Sequence, residues 1–264
     1  MNEPLEVFPD GVRQVTCRDC IEGSFDIPMS MAFQPIVDNA KRQIYAYEAL
    51  VRGPKEEPAG FVLNQINDHN RYFFDQAARV AAIRLAAELG LSSADCETML
   101  SINFMPNAIY NPKTCIRATV EAAKLYHFDL NRLIFEVAEA EKIVDRNHLM
   151  NIIDVYRHHG FAIALDDFGE GYAGLNHLIE IRPDLIKIDL QLIRNIDQDA
   201  SKQAVVRATA SMCNDLGIGV VAEGVETREE YLCLESLGIT LIQGFLFARP
   251  GFERLPEPSY IPRE

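Results

Sequence analysis

Seven short apolar runs in this chain end on polar or charged residues: Glu48, Asn103, Glu136, the pair Asp166 and Asp167, Lys187 with Asp189, Glu223, and Gln243. Oxygen donors dominate, and no histidine or cysteine stands among them. If the runs are strands of one α/β sheet, their carboxyl ends share a rim, which is where such folds carry functional residues. Five or six carboxylates gathered there would repel one another and take up protons unless opposite charge stood close by. A divalent cation is the simplest source of it. The all-oxygen set suits Mg²⁺ or Mn²⁺ better than zinc. Adjacent aspartates can share one ion or face two, and a pair of ions is a common device for displacement at phosphorus.

Taken singly, each residue has a plainer role. A glutamate after an apolar run is often a solvated strand end, and Asp-Asp before glycine is often a turn or a helix cap. The ordered series carries the signal. Asp167-Phe168-Gly169 also matches the metal-binding triplet of protein kinases, but no glycine-rich loop or His-Arg-Asp segment accompanies it.

Positioning these groups requires regular elements. MAFQPIVD from Met31 and IYAYEALVR from Ile44 read as strands, and the link NAKRQ is short enough for an antiparallel hairpin. Strand-length runs then begin at Met99, Leu133, Phe161, Leu185, Ile218 and Ile239. Helical stretches separate them, as where Phe74, Ala78, Ala81, Leu85 and Leu89 recur at spacings of three and four. The count is eight strands. It predicts a single (β/α)8 barrel of the TIM type, with a doubly wound open sheet as the alternative. Residues 1–30 read as an N-terminal extension, 31–250 as the barrel and 251–264, with Pro256, Pro258 and Pro262, as an irregular tail.

Composition narrows the function classes. Hydrophobic residues make up 48% and charged residues 24% of the 264, as in folded soluble chains. A formal net charge of −14 opposes broad nucleic-acid binding. No apolar run reaches the length of a membrane span, and the start lacks the pattern of a secretory signal, so a cytoplasmic location is expected. The six cysteines fit free thiols in a reducing compartment. Cys17 and Cys20 form a lone Cys-x-x-Cys, weak evidence for zinc or redox chemistry.

From about Phe33 to Pro250 the chain resembles the EAL-domain cyclic di-GMP phosphodiesterases. The resemblance rests on Glu48-Ala49-Leu50 followed by Val51-Arg52, on QPIVD before it, and on SINFMP, FEVAE, DDFGEGY, IKID, VVAEGVET and QGFLFARP in the family's order. It implies a barrel whose first strand is antiparallel to the rest, and hydrolysis of cyclic di-GMP to linear pGpG by a metal-activated water. By motif position, Glu48, Asn103, Glu136 and Asp166 would bind one ion, and Asp167, sharing Asp166, the second. Glu223 resembles the general base, with Lys187 orienting water or stabilising phosphoryl charge. Gln34, Arg52 and Gln243 resemble substrate-binding positions, and Glu139, Asp189 and Glu226 supporting ones.

The chain departs from the family at Glu170, where threonine is usual, at Ala173-Gly174, where two serines are usual, and at Met105, where serine is usual. The first two lie in the loop associated with metal ordering and dimer contact, so they bear on activity level rather than on site identity. A homodimer is implied by analogy. Because no sensor or cyclase segment is recognisable, either control comes through a regulatory protein partner and expression, or the chain is a fragment of something longer. A receptor that binds cyclic di-GMP without turnover is the competing reading, and the complete set of ligands favours the enzyme.

Overall fold

The computed structural model describes residues 26–139, 145–171 and 174–259, so Cys17, Cys20 and Ala173 lie outside the described residues. The expected hairpin opens the fold: β1 (Ser30–Asp38) runs antiparallel to β2 (Gln43–Arg52), with Gln34 opposite Glu48. There follow α1 (Gly60–Leu63), α2 (Arg71–Glu88), β3 (Met99–Asn103), α3 (Pro112–Leu125), β4 (Leu133–Ala138), α4 (Arg146–His158) and β5 (Ala162–Phe168). The second half comprises α5 (Gly174–Ile181), β6 (Leu185–Ile188), α6 (Leu190–Ile193), α7 (Ala200–Leu216), β7 (Gly219–Ala222), α8 (Arg228–Ser236), β8 (Leu241–Ile242) and β9 (Gly251–Phe252).

Strands β2 to β8 pair in chain order and all run parallel, while β1 bonds to both β2 and β8 and closes the ring. The result is an eight-stranded TIM-type barrel with a reversed first strand, and the open sheet is excluded. No helix of the described residues is long and apolar enough to cross a membrane.

Period-two alternation sorts the strand residues. Outward-facing Leu100, Ile102, Phe135, Val137, Ile163, Leu165, Ile186 and Ile188 pack against the helices, where Val80, Ile83, Ile116, Ile152, Val206 and Leu234 close a continuous core. On α2, Phe74, Ala81 and Leu85 are buried, with Ala78 and Leu89 at the margin. The barrel interior has its own apolar layer, Ile36, Ala46, Ile134, Ala164, Leu185 and Val221. Every inward-facing position one pleat above that layer lies at the rim. This places Glu48, Glu136, Asp166, Lys187 and Glu223 two residues after Ala46, Ile134, Ala164, Leu185 and Val221. Gln34 comes two residues before Ile36, because β1 is reversed.

Two elements differ from the sequence pattern. The apolar run from Ile239 stays in the sheet only over Leu241–Ile242. Beyond it the chain bonds to the loop after β7, with Val225 N–H donating to Gln243 O at 3.2 Å and Leu246 N–H to Val225 O at 3.1 Å. So short a β8 covers only the Val37–Asp38 end of β1, and an uncovered sheet edge leaves backbone groups unpaired. The segment expected as an irregular tail fills that edge: β9 pairs Gly251 with Phe33 and Phe252 with Ala32. Ser30 Oγ–H then donates to Glu253 at 2.6 Å, fastening the junction.

The crossing of the two loops is tight at Gly244, where a Cβ would stand 2.0 Å from Val225 O and 2.5 Å from Val225 N. Backbone cannot yield as a side-chain tip does. Gly244→Ala is expected to lower unfolding free energy by about 1–3 kcal/mol in urea melts. Gly60→Ala, whose added methyl would meet nothing closer than Asn64 at 3.5 Å, is expected to be within about 0.5 kcal/mol of the parent. Equal losses for the two would contradict the close approach.

Candidate active site

Lys187 stands at the centre of the rim. Its Nζ lies 2.7 Å from Glu223, 3.0 Å from both Glu136 and Asp166, and 3.2 Å from Glu48. The partners come from β2, β4, β5 and the end of β7, so the contacts exist only because the barrel is closed. Amides and a hydroxyl complete the cage. Gln243 Nε2–H donates to Glu48 Oε2 at 2.7 Å, Asn103 Nδ2–H to Glu48 Oε1 at 3.0 Å, and Ser101 Oγ–H to Glu136 Oε1. Ser101 was not anticipated as a site residue. Its inward place, between Met99 and Asn103 on the same alternation, was the available signal.

The two aspartates answer to a local irregularity. In a regular strand, neighbours point to opposite faces, so Asp166 and Asp167 could not both reach the rim. Between the pairs Leu165 with Ile186 and Phe168 with Ile188, β5 has one residue more than β6, a bulge that sets both aspartates against Lys187 alone. Asp167 adopts the left-handed conformation, φ 54°, which aspartate tolerates better than most side chains. Phe168 is thereby returned to the outer core, 7% exposed.

Two groups of acidic oxygens result, each with its members within 4.8 Å of one another: Glu48, Glu136 and Asp166, and Asp166, Asp167 and Glu223. Asp166 belongs to both. Its Oδ1, although 3.0 Å from Lys187 Nζ, has no aligned hydrogen-bond donor among the described residues. Hard oxygen donors, a shared carboxylate and an unsatisfied buried oxygen fit hard divalent cations.

Burial and mutual repulsion govern protonation. Burial, joined by the charges of Glu48 and Asp166, drives Glu136 well above the usual carboxyl range against the pull of Lys187. Glu223 is pushed up to about 8, first by burial, and Asp167 to about 6, by burial and then by Asp166. Burial also opposes ionisation of Glu48, but Lys187 and the bonds from Gln243 and Asn103 outweigh it and hold Glu48 below its ordinary value. Burial works against charge on Lys187 as well, yet the surrounding acids, Asp166 foremost, keep it well above its ordinary value.

Of the other anticipated residues, Gln34 donates from Nε2 to Ala248 O at 3.1 Å and faces Gln243 at 3.5 Å. Arg52 is half-buried at the end of β2, its Nη1–H donating to Val51 O at 2.7 Å. It lines a cavity of about 420 Å³ with Glu48, Asn103 and Asp166, walled by Leu63, Phe74 and Met105. Glu139 Oε2 accepts from Gly169 N–H at 2.7 Å, which ties the end of β4 to the loop after the bulge. Asp189 accepts from Gln191 N–H at 2.8 Å and caps α6. Among the described residues, Glu226 makes its ion pair away from the ligands. Its carboxylate is exposed and pairs with Arg194 at 2.8 Å, while buried Glu230 holds that loop by accepting from the N–H groups of Glu226 and Asn195.

Comparison with known proteins decides the family. The model described as EAL domain matches residues 27–250. The chain belongs to the EAL family. It is 34% identical over 229 residues to the blue light- and temperature-regulated antirepressor BluF of Escherichia coli K12, covering 87% of this chain and 56% of that protein. To the cyclic di-GMP phosphodiesterase PdeB of Shewanella oneidensis MR-1 it is 31% identical over 151 residues, 57% of this chain and 18% of PdeB. The chain thus spans about half the length of BluF and a smaller share of PdeB.

Among solved structures, a standalone versatile EAL protein from Vibrio cholerae O395 in its c-di-GMP-bound form superposes with a TM-score of 0.84 at 47% identity, covering 89% of this chain and 98% of that one. The manganese/cy-diGMP complex of Klebsiella pneumoniae BlrP1 at pH 9.0 gives 0.82 at 35% identity, with 90% and 60% covered.

The raised carboxyls of this EAL domain have a consequence for stability. Between the ordinary value of 4.5 and about 8, the metal-free fold keeps a proton on Glu223 that the unfolded chain has lost. Stability is therefore expected to fall as pH rises through that window, with Asp167 contributing from 3.8 to about 6. Mn²⁺ or Mg²⁺ should raise the thermal midpoint, and by more at about pH 8 than at about pH 5, because protons compete for the same oxygens. Calorimetry in chelator and in Mn²⁺ across this range checks both; a midpoint that rises with pH in chelator contradicts the first.

Proposed function

We propose that this chain is a metal-dependent phosphodiesterase that hydrolyses cyclic di-GMP to linear pGpG. The observation that carries the reading is the pair of carboxylate groups sharing Asp166 around a buried lysine. Glu48, Asn103, Glu136 and Asp166 would hold one Mg²⁺ or Mn²⁺, and Asp166 with Asp167 the other. When bound, such ions lower the pKa of water and neutralise charge developing on phosphoryl oxygens.

This chain's residues divide the rest of the work. Glu223, its carboxyl raised toward neutrality, accepts the proton of the attacking water, a task that favours a base poised near the working pH. Lys187 is held firmly protonated and supplies fixed positive charge, orienting the water or the phosphoryl group. Arg52, lining the cavity, engages a phosphate or a guanine with its planar fork. Gln34 and Gln243, side by side on β1 and after β8, present amides to the same substrate. Glu139 and Asp189 fix the loops on either side of the bulge.

The cyclic di-GMP bound in the Vibrio and Klebsiella structures, and the activity named for PdeB, support this substrate. BluF, named as an antirepressor, supports the competing reading of a binding module. On α5, Leu175 and Ile179 stand 60% and 67% exposed one helical turn apart, and a second copy of the chain is the occupant we assign to that stripe.

Purified protein with Mn²⁺ or Mg²⁺ is expected to convert cyclic di-GMP to pGpG, to stop on adding chelator, and to lose activity in Glu48→Ala. Lys187→Ala and Glu223→Gln should each lower kcat by about 10²-fold or more. Tight binding of cyclic di-GMP without turnover in either metal would replace the enzyme with the receptor.

A further inference from the structure

Behind the rim, between α2 and the barrel, lies a second buried charge cluster. Arg79, 0% exposed, pairs through Nη2 with Asp75 Oδ2 at 2.6 Å and donates to the hydroxyl of Tyr156. Its guanidinium lies 5.2–5.6 Å from the ring centres of Phe135, Tyr156 and Phe104. Phe104 follows Asn103 and Phe135 precedes Glu136, so this box backs two of the residues assigned to metal.

The other oxygen of Asp75 reaches the site more directly. Asp75 Oδ1 accepts from Met105 N–H at 2.9 Å, and Phe104 N–H donates to Glu136 O at 3.1 Å. The two residues after Asn103 are thus held by α2 and by β4. An ion pair taken out of water is rarely a gain in stability over well-packed apolar residues, so its use here lies in direction: a carboxylate locked on one side by Arg79 presents its second oxygen in one place.

We infer that Asp75 is a positioning residue for Asn103, with Arg79 and Tyr156 fixing its carboxylate so that it anchors the backbone immediately after the ligand. This rests on the assignment of Asn103 to a metal. Asp75 also lines the cavity beside Asn103, Phe104 and Met105, and among the described residues the hydrogen bond that joins the cluster to the segment after Asn103 is the one from the Met105 amide.

Two neutral double variants separate positioning from mere packing. Asp75→Leu with Arg79→Met removes both charges and the acceptor, whereas Asp75→Asn with Arg79→Met removes the charges but keeps an oxygen for Met105 N–H. The readouts are hydrogen exchange at the Met105 amide and Mn²⁺ affinity by titration calorimetry, with no turnover needed. The first variant is expected to exchange at least about tenfold faster and bind Mn²⁺ about tenfold more weakly, and the second to restore most of both.

Equal behaviour of the two variants would overturn the inference. So would fast exchange of Met105 in the unaltered protein, a result that holds even if the leucine variant fails to fold. If the unaltered protein binds no Mn²⁺, or Asn103→Ala binds it unchanged, the metal assignment fails, and slow exchange at Met105 that is lost only in the leucine variant would still establish the anchor.

Discussion

Four carboxylates from four strands surround one ammonium, and none of the five side chains is more than 16% exposed. Charges so placed cannot fall back on water for compensation, and removing one partner from such a set costs far more than forming it gains. The lysine and the acids are therefore mutually obligatory. Formally the set still carries more negative than positive charge, and that surplus makes it receptive to cations. The bulge in β5, the amides of Gln243 and Asn103, and the backbone bonds that continue the ladder past each strand end all serve to hold repelling groups where the barrel would otherwise release them.

The vertical order of the interior follows from the same constraint. Below the rim, Ala46 and Ala164 sit among Ile36, Ile134, Leu185 and Val221, small residues beside large ones in the tapering space. One pleat higher, every strand turns polar. Cohesion and chemistry are thus separated by a single strand repeat, about 6–7 Å along the chain, and the apolar floor keeps the dielectric low beneath the charges.

Much of this was legible in the sequence, because strand ends announce themselves: an apolar run of alternating fate that stops at Glu48, Glu136 or Glu223 has only one rim to stop on. What escaped had no local signature. Adjacent Asp166 and Asp167 imply opposite faces by periodicity, and the extra residue that turns both inward is visible only in the pairing with β6. Lys187 was expected to act in catalysis, yet its role as counter-charge depends on acids as far as 139 residues away. Asp75 and Arg79, four apart on a helix, have the spacing of an ordinary surface pair, and only the packing of Phe104, Phe135 and Tyr156 shows it buried. Glu226, expected as a supporting residue, pairs with Arg194, while its neighbour Glu230 takes the interior position through the capping box with Thr227.

The reversal of β1 also decides from which side the polypeptide enters. Ser30 is paired with Arg52, so the first strand begins at the acidic rim and descends, whereas a parallel first strand would begin at the barrel's floor. Ser30 therefore stands at the mouth of the cavity instead of its far end. The domain's first strand thus takes its start beside Arg52, at the edge of the cavity.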